Sequence, residues 1–465
     1  MSIFKSSIIN IISKVAQSIL TVISSVVLAR LINPEAFGTY TIILSFYALL
    51  AGFVDVGLSA SFIKSKKVNQ EIKNLFFTIN ILLGTIVFIF FILSAPLVSS
   101  FYKNFDILKL MISFSFTILI TSFGLQGLAE LTRKKAFKKI MIIDTITNIC
   151  FVISSIFLAV MNFGVWTFII SAVARSIIHT GLIFYFNKNK YEFSNFGLIK
   201  KYSENINFGK QVFYGRMLSG VFNSIDKLFL GITVNSNSLG QYRTPQQHSR
   251  MIDTYLRVPF GEVVYSYVER FKNESKESTY YKFGISIMIL TMMIYGLLFL
   301  EGEKVYLLVF GDNWSEASKY IKYFSLFSMG ITLKGVLNTI AMSQNILKKQ
   351  NQLTAISIFL SIVVLLLYYY IEFSLFFLVQ LLSFTIFIYW SSVFLLKFKL
   401  ISIKNYVSYY YAGSIIIVVF CEVLNRLNFI NNSLLISIIF EILMSLVLFH
   451  FIKVEMKVSF KQLLK

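Results

Sequence analysis

The chain has 465 residues, of which 56% are hydrophobic and only 14% charged, with a mean hydropathy of +0.73. A soluble globular domain carries about 25% charged residues, so the composition excludes a soluble fold, a disordered chain, a coiled coil and a disulfide-stapled secreted domain; an integral membrane protein is what remains. The net charge of +21 does not point to nucleic acid, because membrane proteins concentrate Lys and Arg in their cytoplasmic loops.

A spanning helix needs about 20 mostly apolar residues. Spans are predicted near 8–32, 38–63, 75–101, 108–130, 140–161 and 164–187, followed by a more polar stretch at about 188–207. Eight more are predicted near 208–233, 242–267, 281–310, 317–342, 351–371, 373–397, 404–424 and 431–452, making fourteen with short loops between them. The first run is too long and too polar at its start for a cleaved leader and is read as span 1. When loops are assigned alternately to two sides, 28 Lys and Arg fall on one and 7 on the other. Clusters such as Lys64, Lys66, Lys67 and Lys73, or Arg133, Lys134, Lys135, Lys138 and Lys139, carry the bias. It predicts a multi-pass membrane protein with both termini in the cytoplasm. Cys150 and Cys421 both lie in apolar runs, and the three histidines have no metal-ligand spacing, so neither a metal nor a cofactor is expected.

The chain carries an internal repeat. Leu28-Ala-Arg-Leu-Ile-Asn33-Pro-Glu-Ala-Phe37-Gly38-Thr-Tyr40 matches Leu230-Gly-Ile-Thr-Val-Asn235-Ser-Asn-Ser-Leu239-Gly240-Gln-Tyr242. Leu28/Leu230, Asn33/Asn235, Gly38/Gly240 and Tyr40/Tyr242 share a single offset of 202 residues, which covers six spans. An even number of spans preserves orientation, so the repeat is parallel, about an axis along the membrane normal. The predicted organisation is two six-helix lobes, 1–200 and 201–400, with two further helices and a tail at 401–465. The repeat also requires a span at 242–267, which hydropathy alone would not give. That stretch holds Arg243, Gln246, Gln247, His248, Arg250, Asp253, Arg257 and Glu262. A polar helix at membrane depth faces protein or a water-filled cavity.

An ionised side chain at the bilayer centre costs at least ~2.5–3.5 kcal/mol on insertion scales. Arg243, Arg250 and Arg257 recur every seven residues, along one face of an α-helix. Asp253 is within side-chain reach of both Arg250 and Arg257. Arg216 lies in span 7, Arg175 in span 6 with His179 one turn on, Lys334 in span 10, and Arg30 at the outer rim of span 1. The planar guanidinium fork suits phosphate and stays charged when buried. These seven cations are therefore the candidate binding residues for an anionic, lipid-borne phosphate. Asp55 in span 2 and Asp253 are the candidate coupling groups for H⁺ or Na⁺. The competing structural reading makes Arg250 with Asp253, and Asp226 with Lys227, local ion pairs, and lets Arg30 snorkel. Asp144 and Glu441 are read as satisfied helix contacts.

The sequence contains no G-x-x-x-x-G-K-[ST], H-E-x-x-H or G-x-S-x-G, and no segment long enough for a glycosyltransferase domain, so a transporter is expected rather than an enzyme. Several segments carry a family resemblance: the end of span 1 through Tyr40, Asp55-Val-Gly-Leu-Ser59, Asn162-Phe-Gly-Val-Trp-Thr167, Ile225-Asp-Lys-Leu-Phe-Leu-Gly231 with Leu239-Gly-Gln-Tyr242, and Phe310-Gly-Asp-Asn-Trp314. In order and spacing they resemble the polysaccharide transporters, the Wzx-type lipid-linked oligosaccharide flippases of the MATE-like (MOP) superfamily, over about residues 1–400. The resemblance implies an all-α polytopic bundle whose two lobes flank a central cationic cavity. It implies movement of an undecaprenyl-pyrophosphate-linked sugar unit from the cytoplasmic to the outer leaflet by alternating access. By family geometry, Asp55, Arg216, Arg243, Arg250 and Arg257 would border that cavity. The implied partners are the lipid-linked oligosaccharide, membrane lipid, and the polymerase and glycosyltransferases of the same polymer (O-antigen, capsule or exopolysaccharide). A lipid II flippase shares this chemistry with a different sugar. A MATE-type exporter of cations would want an acidic cavity, against which the span 8 arginines argue.

Overall fold

A computed structural model describes Gln17 and residues 20–65, 68–188, 190–194, 203–257, 294–343, 347–372 and 374–398. Predicted spans 13 and 14, with Cys421 and Glu441, lie outside the described residues, as do 258–267 of span 8 and the start of span 9. Helices follow one another as α1 (Leu20–Leu31), α2 (Pro34–Asp55), α3 (Leu58–Lys64), α4 (Gln70–Phe101), α5 (Asp106–Arg133), α6 (Phe137–Val160) and α7 (Trp166–Asn187). After the polar stretch come α8 (Ser203–Thr233), α9 (Ser236–Ile252) continued by a π-helical turn (Asp253–Arg257), α10 (294–310), α11 (Ser315–Ser343), α12 (Leu347–Ile371) and α13 (Leu375–Phe398). The described residues contain no strand. Six of their helical segments are long and apolar enough to cross a membrane, which makes the chain a multi-pass membrane protein.

Span 2, predicted as one helix over 38–63, is two. The chain turns at Val56 and Gly57, both left-handed (φ 43° and 77°), and restarts as α3. The Asp55 carboxylate makes the restart possible: its Oδ1 accepts from the Ser59 backbone N–H at 2.8 Å and from Ser59 Oγ at 2.7 Å. Hydropathy runs through this turn unbroken, because the capping groups are short and the flanks apolar.

The chain divides into two compact units, 1–243 with 347–358, and 244–346 with 359–465. In the first, small residues on α5 admit its neighbours. Gly84 of α4 meets Ser122, while Gly124 and Gly127 meet Thr180 and Ile183 of α7. Thr180 Oγ1 also donates to the Ile120 carbonyl at 3.1 Å. Such close approach is how helices associate where lipid offers no hydrophobic gain. Helices α2 and α8 run antiparallel along their length. Gly220 sits on the Ala48 carbonyl, Gly231 on the Tyr102 ring, and Tyr102 Oη donates to the Leu228 carbonyl at 3.0 Å. The Lys-rich end of this unit is tied by Glu130, whose side chain is 1% exposed. Lys73 and Lys134 lie 3.7 Å and 3.2 Å from its Oε2, and Tyr191, beyond α7, donates to Oε1 at 3.1 Å. Tyr191 also stacks on Phe77 with ring centroids 4.7 Å apart.

The sequence repeat recurs in hydrogen bonds. Ile32 N donates to the Leu28 carbonyl at 2.8 Å, and Val234 N to the Leu230 carbonyl at 2.8 Å. Ala36 N donates to Asn33 Oδ1 at 3.2 Å, and Ser238 N to Asn235 Oδ1 at 2.8 Å. Both asparagines therefore cap the helix that follows them. The two glycines meet: a Cβ on Gly38 would overlap the Ser236 carbonyl oxygen, and one on Gly240 would overlap that of Pro34. The contact is reciprocal at the 202-residue offset, so α2 and the first turns of α9 touch backbone to backbone about a local twofold axis.

In the second unit α11 is the buried post. Trp314 at its entry is fully buried, and Gly330 lets it approach the backbone of α13 at Ile386–Phe387. Ser328 bonds Ser249 at 2.7 Å, and His248 both stacks on Phe310 (4.5 Å) and lies 3.0 Å from Tyr306 Oη.

Candidate functional site: clustered intramembrane cations

The predicted site residues separate into three groups, two in the first unit and one in the second. Around Tyr40, the Arg243 guanidinium lies 5.7 Å from the ring centroid, a cation–π distance. Arg175 and Arg243 are both within electrostatic range of the Tyr40 hydroxyl. Arg175 itself sits 5.6 Å from the Phe151 ring and is exposed. Stacking on Phe168 at 4.8 Å fixes the Tyr40 ring. Two arginines from spans far apart in sequence are thus brought to one aromatic platform.

The second group joins Asp55 to Arg216. Nη1 of Arg216 donates to Asp55 Oδ2, while Oδ1 of the same carboxylate is held by Ser59. The Asp55 side chain is 7% exposed and that of Arg216 46%. A candidate coupling acid and a candidate phosphate-binding cation therefore occupy each other.

The third group surrounds the π-helical turn. Arg257 Nε donates to Asp253 Oδ1 at 2.5 Å and Nη2 to Oδ2 at 3.0 Å, a bidentate pair. The guanidinium lies against Gly335, where a side chain would displace it. Lys334 is within electrostatic range of Arg250 and 5.5 Å from the Trp390 ring. Tyr295, fully buried, bonds Thr332 at 3.3 Å beside Asp253. A π turn winds fewer degrees per residue than an α turn, so Arg257 leaves the face that a constant seven-residue spacing gives Arg243 and Arg250. Of the two arginines in reach of Asp253, Arg257 makes the bidentate bond to it.

Arg30 is exposed on the last turn of α1. Asp226 and Lys227 form the local pair expected, 3.0 Å apart and buried, and Tyr242 adds a hydrogen bond to Asp226 at 2.8 Å. Asp144 lies 3.8 Å from His179. The Glu130 cluster was not singled out from sequence. Glu130 and Lys134 stand four apart and signal a helical pair, but nothing local joins them to Tyr191, 61 residues on.

Comparison with known proteins agrees with this architecture. A curated relative, the lipopolysaccharide biosynthesis protein WzxC of Escherichia coli (strain K12), is 22% identical over 303 residues, 64% of this chain. The chain spans 61% of the length of that relative, less than two thirds. Among solved structures, the lipid II flippase MurJ in an inward closed conformation superposes with a TM-score of 0.77 at 16% identity, covering 97% of this chain and 100% of that one. An inward-facing multidrug resistance MATE family transporter of the MOP superfamily superposes with a TM-score of 0.63 at 13% identity, covering 84% and 98%. The fold is that of MurJ and MATE transporters. Residues 27–319, well over half of the chain, match the family described as polysaccharide biosynthesis protein, and the chain belongs to that family.

Proposed function

We propose that the protein is a flippase that carries an undecaprenyl-pyrophosphate-linked oligosaccharide repeat unit from the cytoplasmic to the outer leaflet of the bacterial cytoplasmic membrane by alternating access. The finer architecture of this reading is fourteen spans, with two six-helix lobes at 1–200 and 201–400 and both termini cytoplasmic. The observation that supports this reading is Lys334, set 5.5 Å from the Trp390 ring with Arg250 in electrostatic range, inside one membrane-embedded unit of a protein of this family. Two cations held within electrostatic range of each other repel, and an entering dianion relieves that repulsion. Arg250 and Lys334 in one unit, and Arg243, Arg175 and Arg216 in the other, are each assigned to anionic or polar parts of the cargo. The lipid tail stays in the bilayer, and Asp55 and Asp253 set the charge of the empty site. Polymerase and glycosyltransferases of the same polymer supply and consume the cargo.

Arg250→Lys keeps the charge and loses the planar fork. The expected result is about a tenfold fall in transport of lipid-linked sugar, equivalent to one lost charge-assisted hydrogen bond, with wild-type amounts of protein in the membrane. Loss of the protein itself, with undiminished transport per molecule, would make Arg250 structural and remove the assignment.

A further inference from the structure

The pair between Asp55 and Arg216 does more than join two helices. Asp55 stands where α2 ends, its carboxylate fixed by two hydrogen bonds from Ser59 and almost entirely buried. Arg216 stands opposite on α8, its side chain 46% exposed. Among the described residues the guanidinium is held at one nitrogen, Nη1, by one oxygen, Asp55 Oδ2. The side chain is half-exposed, and a guanidinium presents five donors in a fork shaped for two oxygens of one anion. A monodentate bond from a rigidly mounted carboxylate is therefore a poorer partner than a mobile phosphate that can take the whole fork.

The site lies at the Lys-rich end of the α2–α8 contact. Phe53 beside Asp55 packs edge-on against Phe213 of α8 at 5.1 Å, and Gly52 lies against the Met217 backbone. Asp55 is carried by α2 and Arg216 by α8, so their bond joins the two helices at this end.

We propose that Asp55 is a built-in competitor for the anion site of Arg216, an internal carboxylate that a phosphate-type anion must displace and whose displacement releases the inner end of α2 from α8. The proposal rests on the reading of Arg216 as a cargo-phosphate ligand and adds its regulation. Anion binding and helix separation are reciprocally linked: the anion reaches the full fork only when the helices part, so its affinity difference between the two states drives the opening. The same carboxylate recloses the end once the anion has left, leaving no bare guanidinium in the empty protein.

The test is binding of inorganic pyrophosphate to the purified full-length protein, with undecaprenyl pyrophosphate in nanodiscs as a second arm. Asp55→Asn removes the competitor and is expected to bind about tenfold more tightly, the gain if the pair occupies the fork about nine-tenths of the time. Arg216→Gln should lose the gain when combined with Asp55→Asn. Tightening with either probe supports the proposal, and tightening only with the lipid-borne probe assigns the site to lipid. Unchanged or weaker binding of both probes by folded Asp55→Asn overturns it. Should that variant not fold, Phe213→Cys in a background with Cys150 and Cys421 replaced by serine reads the same event. Pyrophosphate should speed labelling of that cysteine several-fold, and an unaltered rate overturns the proposal. Neither readout involves transport. A protein that binds pyrophosphate as expected but moves no lipid-linked sugar would defeat the flippase reading and leave the competitor standing.

Discussion

Replacing both Gly38 and Gly240 with alanine should destabilise the protein by about 3 kcal/mol, at the upper end of overpacking costs, and reduce the amount of protein in the membrane. Each added methyl group falls on a backbone carbonyl of the other helix, Ser236 in one case and Pro34 in the other. No flexible side chain is available to move aside, so the helices must shift as bodies, and both ends of the contact are pinned. Asn33 and Asn235 cap the two helices, and Leu28 and Leu230 accept the last turns before them. Either single substitution should cost nearly as much as the pair, because one shift of the two helices relieves both overlaps. Thermal unfolding in detergent, read beside the amount of protein in the membrane, checks this. Alanines tolerated at both positions without a shift would mean that α2 and α9 do not meet through these glycines.

The second large effect is expected at Asp253. Asp253→Asn leaves the Arg257 guanidinium buried without its counter-charge, and breaking a buried pair on one side typically costs about 3–5 kcal/mol. With side chains only 8% and 14% exposed, neither partner can turn to water. The displaced guanidinium has no room to retreat, because it already lies on Gly335 of α11. The double change Asp253→Asn with Arg257→Gln should recover most of the loss, and the difference between single and double variants measures the coupling. A loss in the double variant equal to the sum of the two single losses would show that the pair contributes nothing beyond its separate packing.

Parts of this structure were open to the sequence and parts were closed to it, for identifiable reasons. The repeat was open. Four identities at one offset sit where two equivalent helix ends must do the same job, so Asn33 and Asn235 became caps, and Gly38 and Gly240 became the reciprocal contact. Asp226 and Lys227, adjacent in sequence, were open for the same reason of locality. Asp55 and Arg216 were closed: 161 residues separate them, and each has a plausible separate use as a coupling acid or a phosphate ligand. The break after Asp55 was closed because hydropathy registers composition and not backbone sign. The geometry of span 8 was half open. Its spacing placed Asp253 within reach of two arginines, but periodicity assumes a constant winding that the π turn at Asp253–Arg257 does not keep. Glu130 was hidden among the lysines counted as loop charge, since its third partner arrives from the segment beyond α7.

The central claim is that the cargo is a sugar on a lipid pyrophosphate. The most direct test is to delete the gene, extract the lipids and quantify undecaprenyl-pyrophosphate-linked oligosaccharide beside surface polysaccharide. A flippase predicts that the complete lipid-linked unit accumulates on the cytoplasmic side while the polymer disappears, and the sugar composition then separates an oligosaccharide repeat unit from a peptidoglycan precursor. Normal lipid-linked pools and normal polymer, together with heightened sensitivity to cationic drugs, would contradict the account and place the protein among exporters.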